Sequence, residues 1–572
     1  MASFYHLPTE LVQQIVSYLS QHDRFSFCRL NHYLHTLAIP LLYRHVDLFI
    51  PPGNRLPRID NFCLNIISDS RKANNVESIR LGLSPGEHII QGQRWLPQDS
   101  NFDDQLMLQK AMDASSNQSL VAAIDYLRDA FRYLMVMVTD SHSSLELREY
   151  SAYAALILLT LPSLQRLDVA DYKSATFNHL QTMLRNLEPG TLWNGRVSSH
   201  ALTRRLSSIK RLSLLFDRKT GVAYPRTNDH FGPDHFLNLP CIEILELSVS
   251  SGTQHHAPGA RGPFWSLIHR IRPTDITTLV FRHSGAYTPS LTSLLKCTPK
   301  LRSLTYEFFF DRNGMPNESG HLVNLASWSD ILRNFESTLE ILVFSIEYCD
   351  TSAYFFDQPR IKDRLHGYLD MTYLSRLHTL EVPIPFLTGD VEFSIGTEVY
   401  PLFPPNLRHL VIRPDLSHAQ HAFPFDLSIL PTSLTFEQSK LEAQNLMNAR
   451  MDVSYMYQTS LTLLDLATTL ESISVWQPAD PSLAWFDSQV EDFATTCRNK
   501  NVTGRILTSM LLRWKKAMHW DLLEENTVFD RENPEHGRVK RFWREEWEGR
   551  PVGLASQYHL HALRTHQVKL HR

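Results

Sequence analysis

One short pattern recurs through most of this 572-residue chain and limits what the chain can fold into. It consists of an apolar residue, two variable residues, a second apolar residue, one variable residue and a third apolar residue. The closing alternation is typical of a short strand, and one such unit cannot bury its own apolar face. The pattern therefore predicts stacked units that share a continuous core. The ten copies begin at Val76, Leu164, Ile209, Ile242, Ile276, Leu301, Leu339, Leu377, Leu407 and Leu470.

The copies are unevenly spaced, between 25 and 88 residues apart. The longest gap, between Leu81 and Leu164, includes a predicted helical region at 105–150. We expect this gap to contain a further unit of the repeat. Segments rich in Pro, Gly and polar residues predict inserted loops, and they lie at 217–233, 250–263, 311–320 and 383–405. An ordinary α/β domain whose strands share the pattern by chance is the alternative interpretation.

Composition excludes several functional classes. There are 56 Lys and Arg against 60 Asp and Glu, giving a formal net charge of −4, so the overall charge does not attract nucleic acid or anionic membranes. The six cysteines are widely spaced and form no C-x-x-C pair, and no apolar stretch is long enough to span a bilayer. We therefore expect an intracellular protein, cytoplasmic, nuclear or both, that is not inserted in a membrane.

Motifs for catalysis and cofactor binding are also missing from the sequence. The chain has no P-loop, G-x-G-x-x-G, H-E-x-x-H or EF-hand pattern. A G-x-S-x-G pattern surrounds Ser84, but the following Pro85 has no N–H to donate to an oxyanion. Paired histidines such as His255 and His256 lack a nearby third ligand. We expect no catalytic residue, metal or cofactor, whereas an enzyme within residues 50–500 would require a deep pocket with converging titratable groups.

The first fifty residues have a dense pattern of apolar residues that predicts three short helices. Leu11, Ile15 and Leu19 recur every four residues on one face of the first helix. The third helix is predicted to end before Pro40, and residues 46–48 are predicted to be extended. Three helices in about 40 residues bury little surface, so we expect an exposed apolar patch that docks against a partner.

The segment contains Leu7-Pro8-x-Glu10-Leu11, Ile15, Leu19, Asp23 with the following Phe and Cys, and Ala38-x-Pro40-Leu41-Leu42-Tyr43-x-x-Val46-Asp47-Leu48. With these residues it resembles an F-box over residues 4–48, and its ending is similar to that of many fungal F-box proteins. The recurring downstream pattern resembles leucine-rich repeats, although the Asn expected three residues after the last apolar position is absent. The order of an F-box followed by repeats resembles the F-box/LRR proteins.

The resemblance implies a substrate-recognition subunit of an SCF-type cullin–RING E3 ubiquitin ligase, with no active site of its own. The F-box would dock a Skp-type adaptor, and the repeats would hold an unknown protein substrate. A scaffold that holds the adaptor without directing ubiquitination is the alternative, and repeats can also bind small molecules. The expected adaptor-binding residues are Leu7, Pro8, Leu11, Ile15, Leu19, Phe25, Leu30, Leu37, Pro40 and Leu41.

The predicted fold is α/β, with a helical F-box at 4–48 and an irregular leucine-rich-repeat-like solenoid with inserted loops at 49–497. Residues 498–572 carry 15 Lys and Arg against 9 Asp and Glu, and four of the chain's ten tryptophans. Leu507, Met510, Leu511, Trp514, Met518 and Leu522 form an apolar stripe at helical spacing, which predicts a helical C-terminal cap. A basic, aromatic surface for nucleic acid or lipid is the alternative for this segment.

Overall fold

The computed structural model separates the chain into two compact units, which are described one at a time. Unit 1 comprises Met1–Leu247 and Arg261–Ile276, and unit 2 comprises Ser248–Ala260 and Thr277–Arg572. The structure describes residues 7–19, 21–50, 57–83, 142–170, 192–193, 197–198, 206–215, 236, 239–247, 275–284, 294–311, 323–349, 365–390, 392–394, 402–420, 436–478, 483–514, 517–534 and 537–543. Several predicted features lie outside these ranges: the loops at 217–233 and 250–263, nearly all of the loop at 311–320, and the pattern around Ser84 except for Gly82 and Leu83.

Unit 1 begins with three helices that lead directly into a strand. They are α1 (Thr9–Ser17), α2 (Gln21–Cys28) and α3 (His32–Arg44), followed by β1 (His45–Ile50). The predicted end of the third helix before Pro40 is wrong, because α3 continues through Pro40. Leu37 and Leu41, on either side of the proline, both pack against the core of the helical bundle. This packing offsets the hydrogen bond that a proline removes from a helix.

The rest of unit 1 is a parallel sheet with helices between its strands. Its further elements are α4 (Ile59–Ser68), α5 (Ser70–Asn74), β2 (Ser78–Leu83), α6 (His142–Thr160), β3 (Arg166–Ala170), β4 (Leu192–Trp193), β5 (Val197–Ser198), β6 (Arg211–Leu215) and β7 (Ile244–Leu247). The sheet order is β1-β2-β3-β6-β7, and β4 and β5 form a separate antiparallel pair. Because β2 pairs directly with β3, the prediction of a hidden strand unit between the first two copies is wrong.

Unit 2 also has a mainly parallel sheet. Its elements are β8 (Thr278–Ser284), β9 (Ser303–Asp311), β10 (Val323–Asn324), α7 (Leu325–Leu332), β11 (Ile341–Cys349), β12 (Leu365–His366), β13 (Thr379–Pro383), α8 (Ile384–Thr388), β14 (His409–Arg413), α9 (Phe436–Leu466), β15 (Ser472–Gln477), α10 (Asp487–Lys500), β16 (Thr503–Trp514), β17 (Ala517–Phe529) and β18 (Arg538–Trp543), with 3-10 turns at Arg333–Phe335 and His418–Gln420. The sheet order is β8-β9-β11-β13-β14-β15-β16-β17-β18, and β10 pairs with β12. The predicted loop at 383–405 contains α8.

The C-terminal segment differs from its prediction. Three strands, Thr503–Trp514, Ala517–Phe529 and Arg538–Trp543, occupy most of the described part of this segment, so the predicted helical cap is wrong there. β16 pairs parallel with β15 and antiparallel with β17, which in turn pairs antiparallel with β18. The predicted boundary at residue 498 falls inside α10. Pairing with β15, which is distant in the sequence, overrides the helical spacing of the apolar residues.

Every copy of the recurring pattern supplies one parallel strand, and the copies align in register within each unit. In unit 1, for example, Leu167 lies opposite Ile79 and Leu212. All thirty apolar residues of the ten copies are at most 6% exposed. On this face of the sheet in unit 2, Trp328 of α7 packs against the ring of Phe344 with ring centroids 4.9 Å apart. The pattern therefore builds the shared core that its periodicity predicts.

The second residue of each pattern carries a repeated polar contact between neighbouring strands. In unit 1 the Glu77 carbonyl oxygen accepts hydrogen bonds from two successive backbone N–H groups at the start of the next strand, at 2.8 and 3.0 Å. Four ion pairs also join neighbouring charged side chains through this position, the first of them with Arg44 at the end of α3. These ion pairs are Arg44–Glu77 at 2.7 Å, Lys210–Glu243 at 2.8 Å, Arg302–Glu340 at 3.8 Å and Arg408–Glu471 at 3.9 Å.

A buried ionic cluster lies at the C-terminal ends of two strands in unit 2. The Arg413 guanidinium contacts the Glu381 carboxylate at 2.5 Å and the Asp415 carboxylate at 2.9 Å, and each of these side chains is at most 13% exposed. The second carboxylate also accepts the Ile346 N–H at 2.7 Å. The guanidinium lies 4.9 Å from the ring centroid of Trp476. Because the charges are removed from water, this cluster depends on all of its members.

Unit 2 also contains a close packing contact at Gly504 and a partly buried histidine, His409. A Cβ atom built on Gly504 would lie 2.7 Å from the Cys497 Sγ of α10, so this helix packs directly on the backbone of β16. His409, half-buried in β14, lies within hydrogen-bonding distance of the Ser472 hydroxyl at 2.9 Å. Burial lowers the pKa of His409, an effect partly opposed by the nearby Glu471 carboxylate.

Candidate functional site

The three N-terminal helices form a small bundle with its own core. Val12 and Val16 of α1 pack with residues of α2 and α3, and both are completely buried. The remaining core residues are Phe27, Cys28, Leu34 and Ala38. The Pro8 carbonyl oxygen accepts the N–H groups of Leu11 and Val12 at the start of α1. The Asn31 side chain accepts the Leu34 N–H at 2.9 Å and caps α3.

A single arginine joins the ends of two helices in this bundle. Arg24 of α2 donates hydrogen bonds to the carbonyl oxygens of Val16 at 3.1 Å, Ser17 at 2.6 Å and Leu41 at 3.3 Å. The first two carbonyls lie at the C-terminal end of α1, where backbone acceptors lack partners within the helix. Burial and the nearby positive charge of Arg44 lower the pKa of Arg24. These contacts fix α1 against α3, although no sequence pattern predicted them.

Most of the predicted adaptor-binding residues are exposed in the structure. Leu7, Leu11, Ile15, Phe25 and Leu30 are 37%, 46%, 38%, 52% and 67% exposed. Pro8 and Pro40 are also exposed, whereas Leu19, Leu37 and Leu41 are half-buried and pack against the bundle core. We name the exposed apolar residues of α1, α2 and the turns beside them the apolar docking surface. Its members are Leu7, Leu11, Ile15, Tyr18, Phe25 and Leu30.

Helix α1 carries two apolar stripes with different roles. Val12 and Val16 point into the bundle, while Leu11 and Ile15 remain accessible. Leu19 was predicted to share one helix face with Leu11 and Ile15, but it lies beyond the end of α1 at Ser17 and packs on the core. Tyr18, which is 81% exposed, follows Ile15 by three residues and extends the accessible stripe. The sequence contained this signal, because Leu7, Leu11, Ile15 and Tyr18 recur at helical spacing.

Groups of large apolar side chains left exposed on a soluble domain mark interaction sites. The apolar docking surface is held on a preformed bundle, so binding a partner requires little loss of conformational entropy to order it. Cys28 packs in the bundle core, and this burial raises the pKa of its thiol. The surface therefore has the chemistry of a protein-docking site.

Sites of two other kinds are not found in the part of the chain that the structure describes. No three His, Cys, Asp or Glu side chains in the described ranges are grouped so that they could hold a metal ion. Among the helices described, none is both long and apolar enough to cross a membrane.

The fold and the exposed surface define a small helical docking domain followed by parallel sheets. Comparison with known families identifies it more closely, because residues 4–49 match the F-box-like family model. The chain therefore carries an F-box-like domain, in agreement with the predicted 4–48. A search of curated protein sequences finds no match to this chain. The leucine-rich-repeat and fungal-type parts of the resemblance remain predictions.

F-box domains typically bind Skp-type adaptors. The F-box-like domain thus indicates a role in an SCF-type ubiquitin ligase as an adaptor-binding subunit. The apolar docking surface lies within the matched residues.

Proposed function

We propose that this protein is the substrate-recognition subunit of an SCF-type cullin–RING E3 ubiquitin ligase. The apolar docking surface would bind a Skp-type adaptor, and a protein substrate would bind to the region that follows. The observation that carries the proposal is the exposed stripe of Leu11, Ile15 and Tyr18 within an F-box-like domain. Burying such a stripe against adaptor helices provides affinity, with a few central residues dominating.

The proposed repeat region is an irregular leucine-rich-repeat-like solenoid. Its support is the regular conversion of each pattern copy into one strand, with matching apolar residues opposite each other in neighbouring strands. The chain would act by proximity, because holding a substrate beside the ligase raises the effective concentration of its lysines at the conjugating enzyme. We propose that it needs no catalytic residues or cofactor of its own and acts in the cytoplasm, the nucleus or both.

The adaptor interaction can be tested by co-purification with a Skp-type adaptor. The variant combines Leu11→Asp and Ile15→Asp, since both side chains are accessible and neither belongs to the bundle core. Burying two unpaired carboxylates in an apolar interface costs several kcal/mol, so binding should be lost. Leu446→Asp is the matched control, because Leu446 of α9 is 50% exposed and lies outside the F-box-like domain. Equal binding by both variants, with circular dichroism showing intact folds, would contradict the proposed surface.

A scaffold that holds the adaptor without directing ubiquitination is the second candidate, because it needs the same docking surface. Reconstitution of the complete ligase with proteins that co-purify with this chain separates the two. Adaptor-dependent ubiquitin transfer to one of these proteins supports the substrate-recognition role. Stable association without transfer supports the scaffold.

A further inference from the structure

Among the residues that the structure describes, the last strand of the unit 2 sheet has one edge without a neighbouring strand. β18 pairs antiparallel with β17, from Trp543 opposite Leu522 to Arg538 opposite Thr527. Within the described ranges, β18 has a neighbouring strand on this side alone. An antiparallel strand uses about half of its backbone groups for one neighbour. The other N–H and C=O groups of this six-residue strand therefore face the open edge.

Two basic side chains of this strand, those of Arg538 and Lys540, have no ion-pair partner among the residues that the structure describes. The strand contains Arg538, Lys540 and Arg541 and no acidic residue. Arg538 is exposed and Lys540 is half-buried, and neither forms an ion pair with another residue that the structure describes. Glu525 lies opposite Lys540 in register, but its carboxylate lies 3.7 Å from the Arg505 guanidinium.

We propose that β18 binds an acidic, extended segment of a partner protein as an additional strand. Backbone hydrogen bonds to an exposed sheet edge supply affinity, and charge complementarity selects the partner. A second copy of this chain would bring the same basic strand and would be repelled, which is how charged edge strands prevent self-association.

The side chains of β18 also define the pattern of the partner. Arg538 and Lys540 lie on one face of the strand, and Val539 lies between them on the other. Val539 is 59% exposed and offers an apolar contact. A segment of about six residues, roughly 20 Å long, that alternates acidic with apolar side chains fits both faces. This inference is independent of the proposed ligase function.

Fluorescence anisotropy with the full chain and three end-blocked, fluorescein-labelled octapeptides tests the proposal. The first alternates Glu and Val, the second alternates Lys and Val, and the third is the Glu–Val peptide with every backbone N–H methylated. Binding of the first peptide, with at least about tenfold weaker binding of the other two, is expected because both charge and backbone pairing are required. The proposal is overturned if the Glu–Val peptide does not bind, or if either of the other two peptides binds as tightly as the Glu–Val peptide.

Charge reversal on the strand provides a matched test on the protein. Arg538→Glu should weaken binding of the Glu–Val peptide about tenfold, because an attraction becomes a repulsion. Arg531→Glu changes another exposed arginine, in the segment before β18, and should alter binding less than about twofold. Both side chains are on the surface, so neither change should disturb the fold. Equal effects of the two substitutions would show a non-specific charge effect and overturn the strand-addition site.

Discussion

Removing the Tyr150 hydroxyl tests how the first strand, β1, is held to the rest of the unit 1 sheet. It donates a hydrogen bond to the Leu48 carbonyl oxygen at 2.8 Å and accepts one from the Gly82 N–H at 2.9 Å, and the side chain is 1% exposed. Tyr150→Phe leaves these groups of β1 and β2 without this partner in a buried position. One unsatisfied buried group costs roughly 1–3 kcal/mol, so the expected loss of local stability is about 2 kcal/mol or more.

Hydrogen exchange followed by mass spectrometry measures this loss directly. If the amides of residues 45–50 and 78–83 exchange through local opening, about 2 kcal/mol corresponds to roughly thirtyfold faster exchange. Tyr18→Phe is the matched control, because Tyr18 is 81% exposed in the same unit. Adaptor binding should stay unchanged in Tyr150→Phe, since the apolar docking surface is intact. Equal protection of the two strands in both variants would refute the bridging role of the hydroxyl.

Three further predictions concern unit 2. Gly504→Ala should lower the free energy of unfolding by about 1–3 kcal/mol in chemical denaturation, because the added Cβ would overlap the Cys497 thiol of α10. Gly537→Ala is the control and should have little effect, because the added Cβ would lie 3.5 Å from its nearest atom. Arg413→Met should cost about 3–5 kcal/mol in the same measurement, because two buried carboxylates lose their partner; Arg408→Met, at an exposed ion pair, should cost less than about 1 kcal/mol. Since the folded-state pKa of His409 lies below its ordinary value near 6.5, stability should fall as pH drops below about 6.5 towards that lower pKa, and thermal unfolding of His409→Gln across this range should lack that component.

The strands were predictable because their signal is local and repeated. Ten copies of one pattern became ten parallel strands, and the apolar residues of each copy are buried as its periodicity required. One further copy was overlooked: Tyr43, Val46 and Leu48 have the same spacing, and Val46 and Leu48 align with Ile79 and Leu81 in β2. It was missed because these residues also belong to the F-box resemblance, which hid their second role as the first strand of the sheet.

The candidate site was predicted by residue type but only partly by orientation. Leu11, Ile15 and Leu19 share a four-residue spacing, yet the packing of α2 and α3 determines that Leu19 turns inward. The carbonyl contacts of Arg24 depend on how three helices meet, so no periodicity reveals them. The C-terminal strands were missed for a similar reason, since an apolar stripe compatible with a helix also fits a hairpin beside β15.

The junction between α3 and β1 has a mechanical consequence. The helix ends at Arg44 and the strand begins at His45, so no linker separates the docking domain from the unit 1 sheet. A module on a flexible tether samples many orientations, and its effective concentration falls with tether length. Here the helix continues directly into the strand, which limits how far an adaptor on the helices can turn relative to anything bound to this sheet. A protein bound to this sheet could then be modified only if its reactive groups lie within reach of the complex that the adaptor brings, so the geometry of this junction would select among bound proteins.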